Sequence, residues 1–348
     1  MSFADITVLE GLVLIAFVVI PGLVLLTVAR WILAEYRADR VPILLYHRLL
    51  SEAAARRGEV PDDEMIYVSY DIRFAEQMRY LAEAGFTTLD LDDYVRIRAG
   101  RQERPPRPVI VTFDDGYLSN YTMGFPILRK LGLKATIFVS PEPDACTRQL
   151  VAGVDGFVTA EQMREMAANG ISIQSHTLTH AVLTELKDGA VDYELSESRR
   201  RLEAITTRTV SHIAIPRAGY DRRVRRRVEA AGYQTACCNN KGAANGGSDP
   251  LALPRIVIER DMGLKEFAGC LTPRGSAIIR IVGELKRLPE RLGGTSLAGR
   301  VRRTLYVPGL RVLFQTRNLK RVLALSALGY GAAVVWFFWH LARRLSGG

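Results

Sequence analysis

Cysteine and histidine are both scarce in this chain. There are four cysteines, Cys146, Cys237, Cys238 and Cys270, and none stands in a C-x-x-C spacing. That excludes a zinc ribbon or a dithiol redox motif. The adjacent pair Cys237-Cys238 cannot readily close on itself, and free thiols fit a reducing compartment. Five histidines occur in 348 residues, and none lies between His212 and His340. Acidic residues are missing altogether after Glu290, where Arg291, Arg300, Arg302, Arg303, Arg311, Arg317, Lys320, Arg321, Arg343 and Arg344 follow. Those ten cations equal the net charge of +10, so the preceding chain is balanced. No aromatic-interleaved basic motif accompanies the run, which argues against a nucleic-acid partner. No internal repeat or low-complexity tract interrupts the chain.

Charge is also absent from two long apolar segments. The first is GLVLIAFVVIPGLVLLTVA, Gly11 to Ala29, and the second is VLALSALGYGAAVVWFFW, Val322 to Trp339. Each is long enough to cross a hydrocarbon layer of about 30 Å as a helix. A cleaved signal peptide would need a basic leading region and an A-x-A site. The leading MSFADI has no Lys or Arg, so the first segment reads as a retained span. In the second, apolar residues run all the way round the helix, and Trp336 and Trp339 lie near one end, where interfacial aromatics are favoured. The basic run beside it suits anionic lipid head groups. Arg30, Arg37 and Arg40 after the first span, with the basic run before the second, orient the intervening chain toward the cytoplasm by the positive-inside rule. The alternative is an outward, periplasmic or extracellular, orientation. The expected organisation is an N-terminal transmembrane helix and linker over 1–40 and a catalytic domain over 41–272. A basic membrane-proximal region over 273–321 and a C-terminal transmembrane helix and tail over 322–348 complete it.

Between the spans, short apolar runs alternate with helical periodicity. VPILLYH, PPRPVIVTF, KATIFVS, ISIQSHTLTH, SHIAIPRAGYD, QTACCNN and LPRIVIE read as strands or strand-to-loop transitions. Helices are expected over SYDIRFAEQMRYLAEAG, NYTMGFPILRKLG, TAEQMREMAANG, VDYELSESRRRLEAIT and DRRVRRRVEAAGY, with Thr159 and Gln162 forming a capping box, and FTTLDLDDYVRIRAG gives a short strand and another helix. This alternation predicts an α/β fold, a parallel sheet or barrel with its helices outside. In such folds the strand C-termini carry the chemistry. His47, Asp114, Asp115, His176, His180 and Arg217 all fall at or just past strand ends.

The stretch IVTFDDGYLSN sets two carboxylates, Asp114 and Asp115, side by side at the end of a buried strand. Two like charges at the rim of a core are costly unless a cation or proton is shared there. His176 and His180, four apart in SHTLTH, add two imidazoles. Asp115 with His176 and His180 makes a two-nitrogen, one-oxygen set that suits a divalent ion while leaving positions for water and substrate. Asp114 is then free to act as general base. An Asp-Asp-Gly turn that merely caps the next segment is the bland alternative.

TFDDGY followed about sixty residues later by SHTLTH resembles the polysaccharide deacetylases of the NodB-homology type, carbohydrate esterase family 4. The resemblance extends through PILLYHR, FAEQMRYLAEAGFTTLDLDD, PILRKLGLKATIFV, IPRAGYDRRVRRRVEAAGYQTA and DPLALPRI, over roughly residues 41 to 260. It implies a distorted (β/α) barrel that binds zinc or a similar divalent ion and removes acyl groups from N-acetylated sugars. By the same resemblance Asp114 is the base, Asp115, His176 and His180 are the metal ligands, and the backbone N–H of Tyr117 is an oxyanion donor. Family members often carry an Arg before Pro-Tyr that orients the base. Here the motif is IPRAGYD, and either Arg217 or Arg255 could take that place. The Leu-x-His that protonates the leaving amine in many members is missing. His47 is a candidate acid, although a buried, hydrogen-bonded histidine would look the same in sequence. The expected substrate is an N-acetylated or N-formylated sugar of a polysaccharide, or a polyprenyl-linked one at the membrane, with glycan-synthesis proteins as further partners. Two alternatives stay open: a non-catalytic glycan-binding or scaffold relative, and an enzyme that removes O-acetyl groups instead.

Overall fold

The computed structural model describes residues 39–142 and 156–281, apart from 58–59, 61–64 and 66–67, together with scattered helical positions between 22 and 33 and residue 283. Both expected spans, 11–29 and 322–339, lie outside the described residues except for isolated positions in the first. Among the described residues no helix is long and apolar enough to cross a membrane. Ala38–Ser276 forms one compact unit.

In chain order this unit runs β1 (Ile43–Tyr46), β2 (Arg48–Leu50), α1 (Glu52–Arg56), β3 (Val68–Tyr70) and α2 (Asp71–Glu83). It continues with β4 (Thr87–Leu89), α3 (Leu91–Arg98), β5 (Pro108–Phe113), α4 (Phe125–Lys130), β6 (Ala135–Val139) and α5 (Ala160–Ala168). It ends with β7 (Ile171–Ser175), α6 (Asp188–Thr206), β8 (His212–Ala214), α7 (Arg222–Ala230), β9 (Thr235–Lys241), β10 (Leu253–Val257) and α8 (Leu264–Cys270).

Strands β1, β5, β6, β7, β8, β9 and β10 close into a parallel ring, because β1 pairs with both β10 and β5. The closing register is Ile43 opposite Ile110 through Tyr46 opposite Phe113. β4 pairs with the N-terminal half of β5, Thr87–Leu89 against Pro108–Ile110. The fold is therefore a parallel seven-stranded α/β barrel, which decides between the sheet and the barrel that the alternating pattern left open and agrees with the family resemblance. Every residue of β5 is buried, as expected for a strand covered on one face by the barrel interior and on the other by helices.

Local chemistry sets the helix ends. The capping box of α5 joins Thr159 and Gln162 as the sequence predicts, and a second one at α3 joins Asp90 and Asp93. The expected helix over 120–132 begins instead as a π-helical turn, Asn120–Gly124, before α4. β2 and β3 form a small parallel pair outside the barrel, Arg48 opposite Val68 and Leu50 opposite Tyr70. The helix expected from residue 69 therefore starts two residues later, at Asp71.

The packing that matters for function lies beneath the ends of β1 and β5. The rings of Tyr46, Phe74 and Phe113 meet pairwise with centroids 5.2 to 5.4 Å apart. The Tyr46 hydroxyl donates to Gln77 Oε1 at 2.7 Å, and Gln77 Nε2 donates to the Met262 carbonyl at 3.2 Å. Burying three aromatic side chains supplies several kcal/mol of packing by the usual ~25 cal/mol per Å². It fixes the two strand ends from which His47 and Asp114 emerge. Cys237, Cys238 and Cys270 are free and buried. Burial pushes the Cys237 thiol up to about 12, so it is a neutral packing group.

Candidate active site

β5 ends at Phe113, and the chain turns at once. Asp114 keeps the barrel register, its N–H donating to the Tyr46 carbonyl at 3.0 Å. Asp115 and Gly116 then adopt left-handed backbone, with φ of 78° and 70°. Such a conformation costs a non-glycine residue about 1 kcal/mol or more. Here it swings the two carboxylates in different directions from adjacent positions.

Asp115 turns toward the loop after β7. Its Oδ1 lies 3.3 Å from His176 Nε2 and 3.3 Å from His180 Nε2. All three side chains are buried, and their candidate donor atoms fall within 4.8 Å of one another. His176 Nδ1 is 2.8 Å from the Ala214 carbonyl on β8. A carbonyl can only accept, so Nδ1 carries a proton, and Nε2 is the ring nitrogen left facing Asp115. Two imidazole nitrogens and one carboxylate oxygen converging in this way, one of them held in its tautomer by the fold, fit a zinc-like divalent ion.

Asp114 turns the other way, into the barrel. Arg255, in the middle of β10, grips it through two bonds, Nη1 to Oδ1 at 2.6 Å and Nη2 to Oδ2 at 2.7 Å. Burial alone would raise the Asp114 carboxyl, but the Arg255 charge and its two hydrogen bonds hold it below the ordinary carboxylate range. Of the two arginines that the sequence left open, Arg255 makes this pair. Arg217 sits at the exposed turn after β8, with φ of 49°.

His47, between β1 and β2, is half-buried and close enough to Asp115 and Asp114 to feel both charges. Poor solvation lowers its imidazole below the ordinary value, against the raising influence of the two acids. Its backbone carbonyl accepts from Asn120 Nδ2 at 2.8 Å. Tyr117 is buried. The Arg48 guanidinium lies 4.5 Å from its ring centroid, and Phe157 stacks on it at 5.7 Å. The 116–118 stretch is further tied to 156–158, where Leu118 N–H donates to the Gly156 carbonyl and Val158 N–H to the Gly116 carbonyl.

One participant escaped the sequence reading. Glu194, on α6, is buried and accepts hydrogen bonds from the loop that joins His176 to His180. Its spacing along the helix is the only signal the sequence offers, and that spacing fits an ordinary helix face equally well.

The parallel α/β barrel thus carries, past its strand C-termini, two histidines and an aspartate that could hold a metal ion, beside a carboxylate gripped by an arginine. The polysaccharide deacetylase family profile matches residues 101–236. A Bacillus subtilis (strain 168) protein classed as a polysaccharide deacetylase, YxkH, is 31% identical over 237 residues, which cover 68% of this chain and 77% of the relative. The poly-beta-1,6-N-acetyl-D-glucosamine N-deacetylase of Escherichia coli O157:H7 is 26% identical over 228 residues, 56% of this chain and 34% of that longer protein. Among solved structures, the Streptococcus pyogenes deacetylase PplD, in complex with acetate, superposes with a TM-score of 0.60 at 23% identity. That match covers 68% of this chain and 100% of that one. The chain belongs to the polysaccharide deacetylase family.

Proposed function

We propose that the protein is a metal-dependent N-deacetylase that hydrolyses the acetamide of an N-acetylated amino sugar within a glycan. The observation that carries this reading is the convergence of Asp115 Oδ1 with both Nε2 atoms at 3.3 Å, next to an Asp114 clamped by Arg255. A binding module has no use for a buried, ionised carboxylate beside a cation centre. The E. coli relative, named for an N-acetylglucosamine polymer, supports the choice of substrate class.

Asp115, His176 and His180 are the residues that would hold the ion. Bound there, it would act as a Lewis acid that lowers the pKa of water and polarises the acyl oxygen. Asp114, kept ionised by Arg255, takes a proton from the attacking water as that oxygen bonds to the acyl carbon. The Tyr117 N–H is assigned to the oxygen on which negative charge develops. The C–N bond then breaks, the nitrogen takes up a proton, and acetate and a free amine leave. His47 is the candidate donor of that proton.

The two apolar segments and the basic run between 291 and 321 support placing the enzyme at a membrane, with the barrel on the cytoplasmic side and a polyprenyl-linked sugar within reach. Reporter fusions inside the barrel would test that orientation, and an outward reporter would redirect the search to exported or cell-wall glycans.

Acetate release from N-acetylglucosamine oligomers, measured with metal content on the same samples, tests the chemistry. The wild type is expected to release acetate. Asp114→Asn should lose about 10²–10⁴-fold in rate, the usual worth of a positioned base, while keeping its metal. A variant that kept most of its rate would remove Asp114 from the role. A wild type that released no acetate from N- or O-acetylated glycans would leave a non-catalytic relative.

A further inference from the structure

The geometry points to Glu194 as the residue that positions the two histidines, a role resting on the metal reading above. His176 and His180 bracket a loop that the chain would not adopt unaided. Thr177 and His180 both have φ of 64°, a left-handed conformation uncommon outside glycine and strongly disfavoured for a β-branched threonine. Leu178 and Thr179, between them, direct their N–H groups inward rather than into any strand ladder. Those N–H groups are satisfied by a single side chain. Glu194 Oε2 accepts from Leu178 N at 2.8 Å and from Thr179 N at 3.0 Å, and Oε1 accepts from the Thr179 hydroxyl at 2.7 Å.

Glu194 is 7% exposed, so these bonds do not compete with bulk water, and leaving buried N–H groups unpaired would be costly. One helical turn on, the same face of α6 makes a second attachment. Ser198 Oγ lies 2.8 Å from Ser175 Oγ, which in turn accepts from Thr177 N at 3.2 Å. Two residues four apart thus hold the loop at its start and its middle. The strained backbone that aims both Nε2 atoms at Asp115 is stabilised from outside the ligand set. Among the described residues the hydrogen bonds of the Glu194 carboxylate go to Leu178 N, Thr179 N and the Thr179 hydroxyl, none of them a ligand atom, so it acts through the loop.

The test is metal affinity, measured by titrating the metal-free full chain with Co²⁺ and following ligand-field absorption. Outer partners of metal ligands are worth about 10–100-fold in affinity. Glu194→Ala is expected to bind Co²⁺ that much more weakly, whereas Glu194→Gln, which keeps an acceptor for the two N–H groups, should recover most of the loss. Leu195→Ala, a buried neighbour on the same helix, should lower the melting temperature yet keep wild-type affinity. Thr179→Val, which removes one of the three bonds from the loop side, should cost several-fold and serves if the alanine variant does not fold. Wild-type affinity in Glu194→Ala or Thr179→Val, or equal losses in Glu194→Ala and Leu195→Ala, would overturn the assignment. A wild type that bound no Co²⁺ would instead sink the metal reading itself, and this inference with it.

Discussion

Asp114 and Arg255, 141 residues apart in the chain, are joined inside the barrel by two nearly parallel bonds of 2.6 and 2.7 Å. Arg255 is 2% exposed and Asp114 4%, so neither charge has water to fall back on. Removing one partner of a buried pair typically costs about 3–5 kcal/mol, because the survivor is left uncompensated. Arg255→Met should therefore lower the unfolding free energy obtained from urea titration by an amount in that range. Adding Asp114→Asn to it should recover stability, since the stranded charge is gone. Strictly additive losses in the double-mutant cycle would mean that the two side chains are not coupled.

Removing and restoring the ion should be visible without any substrate. An ion that binds only the folded state adds RT ln(1 + [L]/Kd), about 2.7 kcal/mol at one hundred times Kd. For a domain of this size that raises the melting temperature by roughly 5–10 °C. His176→Ala should abolish the rise, because it removes a ligand whose orientation is set by the 2.8 Å bond from Nδ1 to the Ala214 carbonyl. An undiminished metal-induced rise in that variant, followed by differential scanning calorimetry, would place the ion elsewhere.

Much of the candidate centre is legible in the sequence, for a physical reason. Asp114, Asp115, His176 and His180 are close in pairs along the chain and sit just past strand ends, where α/β folds gather their chemistry. The alternation of strands and helices likewise sufficed for a parallel α/β fold, while closure into a barrel was implied only by the family resemblance. Arg255 was harder because its partner lies 141 residues away, and Glu194 because its helical spacing fits an ordinary buried face equally well. Choosing between Arg217 and Arg255 requires knowing which strand closes against β1, and only the ring of pairings settles that. The small β2–β3 pair leaves no mark in the sequence pattern, since three-residue strands are too short to show periodicity.

Asp93 gives a pH test far from the candidate centre. Burial would raise its carboxyl, but the Lys134 ammonium at 2.7 Å, the Asp90 N–H and the Arg96 guanidinium at 2.6 Å together hold it at about 2, against an ordinary 3.8. A depressed carboxylate stabilises the fold above its unfolded pKa and loses that contribution as pH falls through its folded one. Water around the half-exposed Lys134 and Arg96 screens the effect to about 1 kcal/mol. Asp93→Asn should thus lose about that much at pH 7. The gap to wild type should hold down to about pH 4 and close toward pH 2 in urea midpoints measured across that span. A gap that widened on acidification would contradict the ion-pair origin.

Gly116 and Gly132 allow backbone strain to be separated from its effect on the site. Both have φ near 70°, so alanine costs either one roughly 1 kcal/mol. At Gly132 the added methyl meets nothing within 4 Å. At Gly116 it comes to 3.1 Å from both methyls of Val139, closer than carbon atoms pack without one giving way. Val139 ends β6, and its carbonyl accepts from His176 N at 2.9 Å, so a shift of that residue is passed directly to a candidate ligand. Gly132→Ala should therefore lower stability alone. Gly116→Ala should lower stability by about 1–2 kcal/mol and also weaken metal binding. Equal metal affinities in the two variants would show that the Val139 contact relaxes without moving His176.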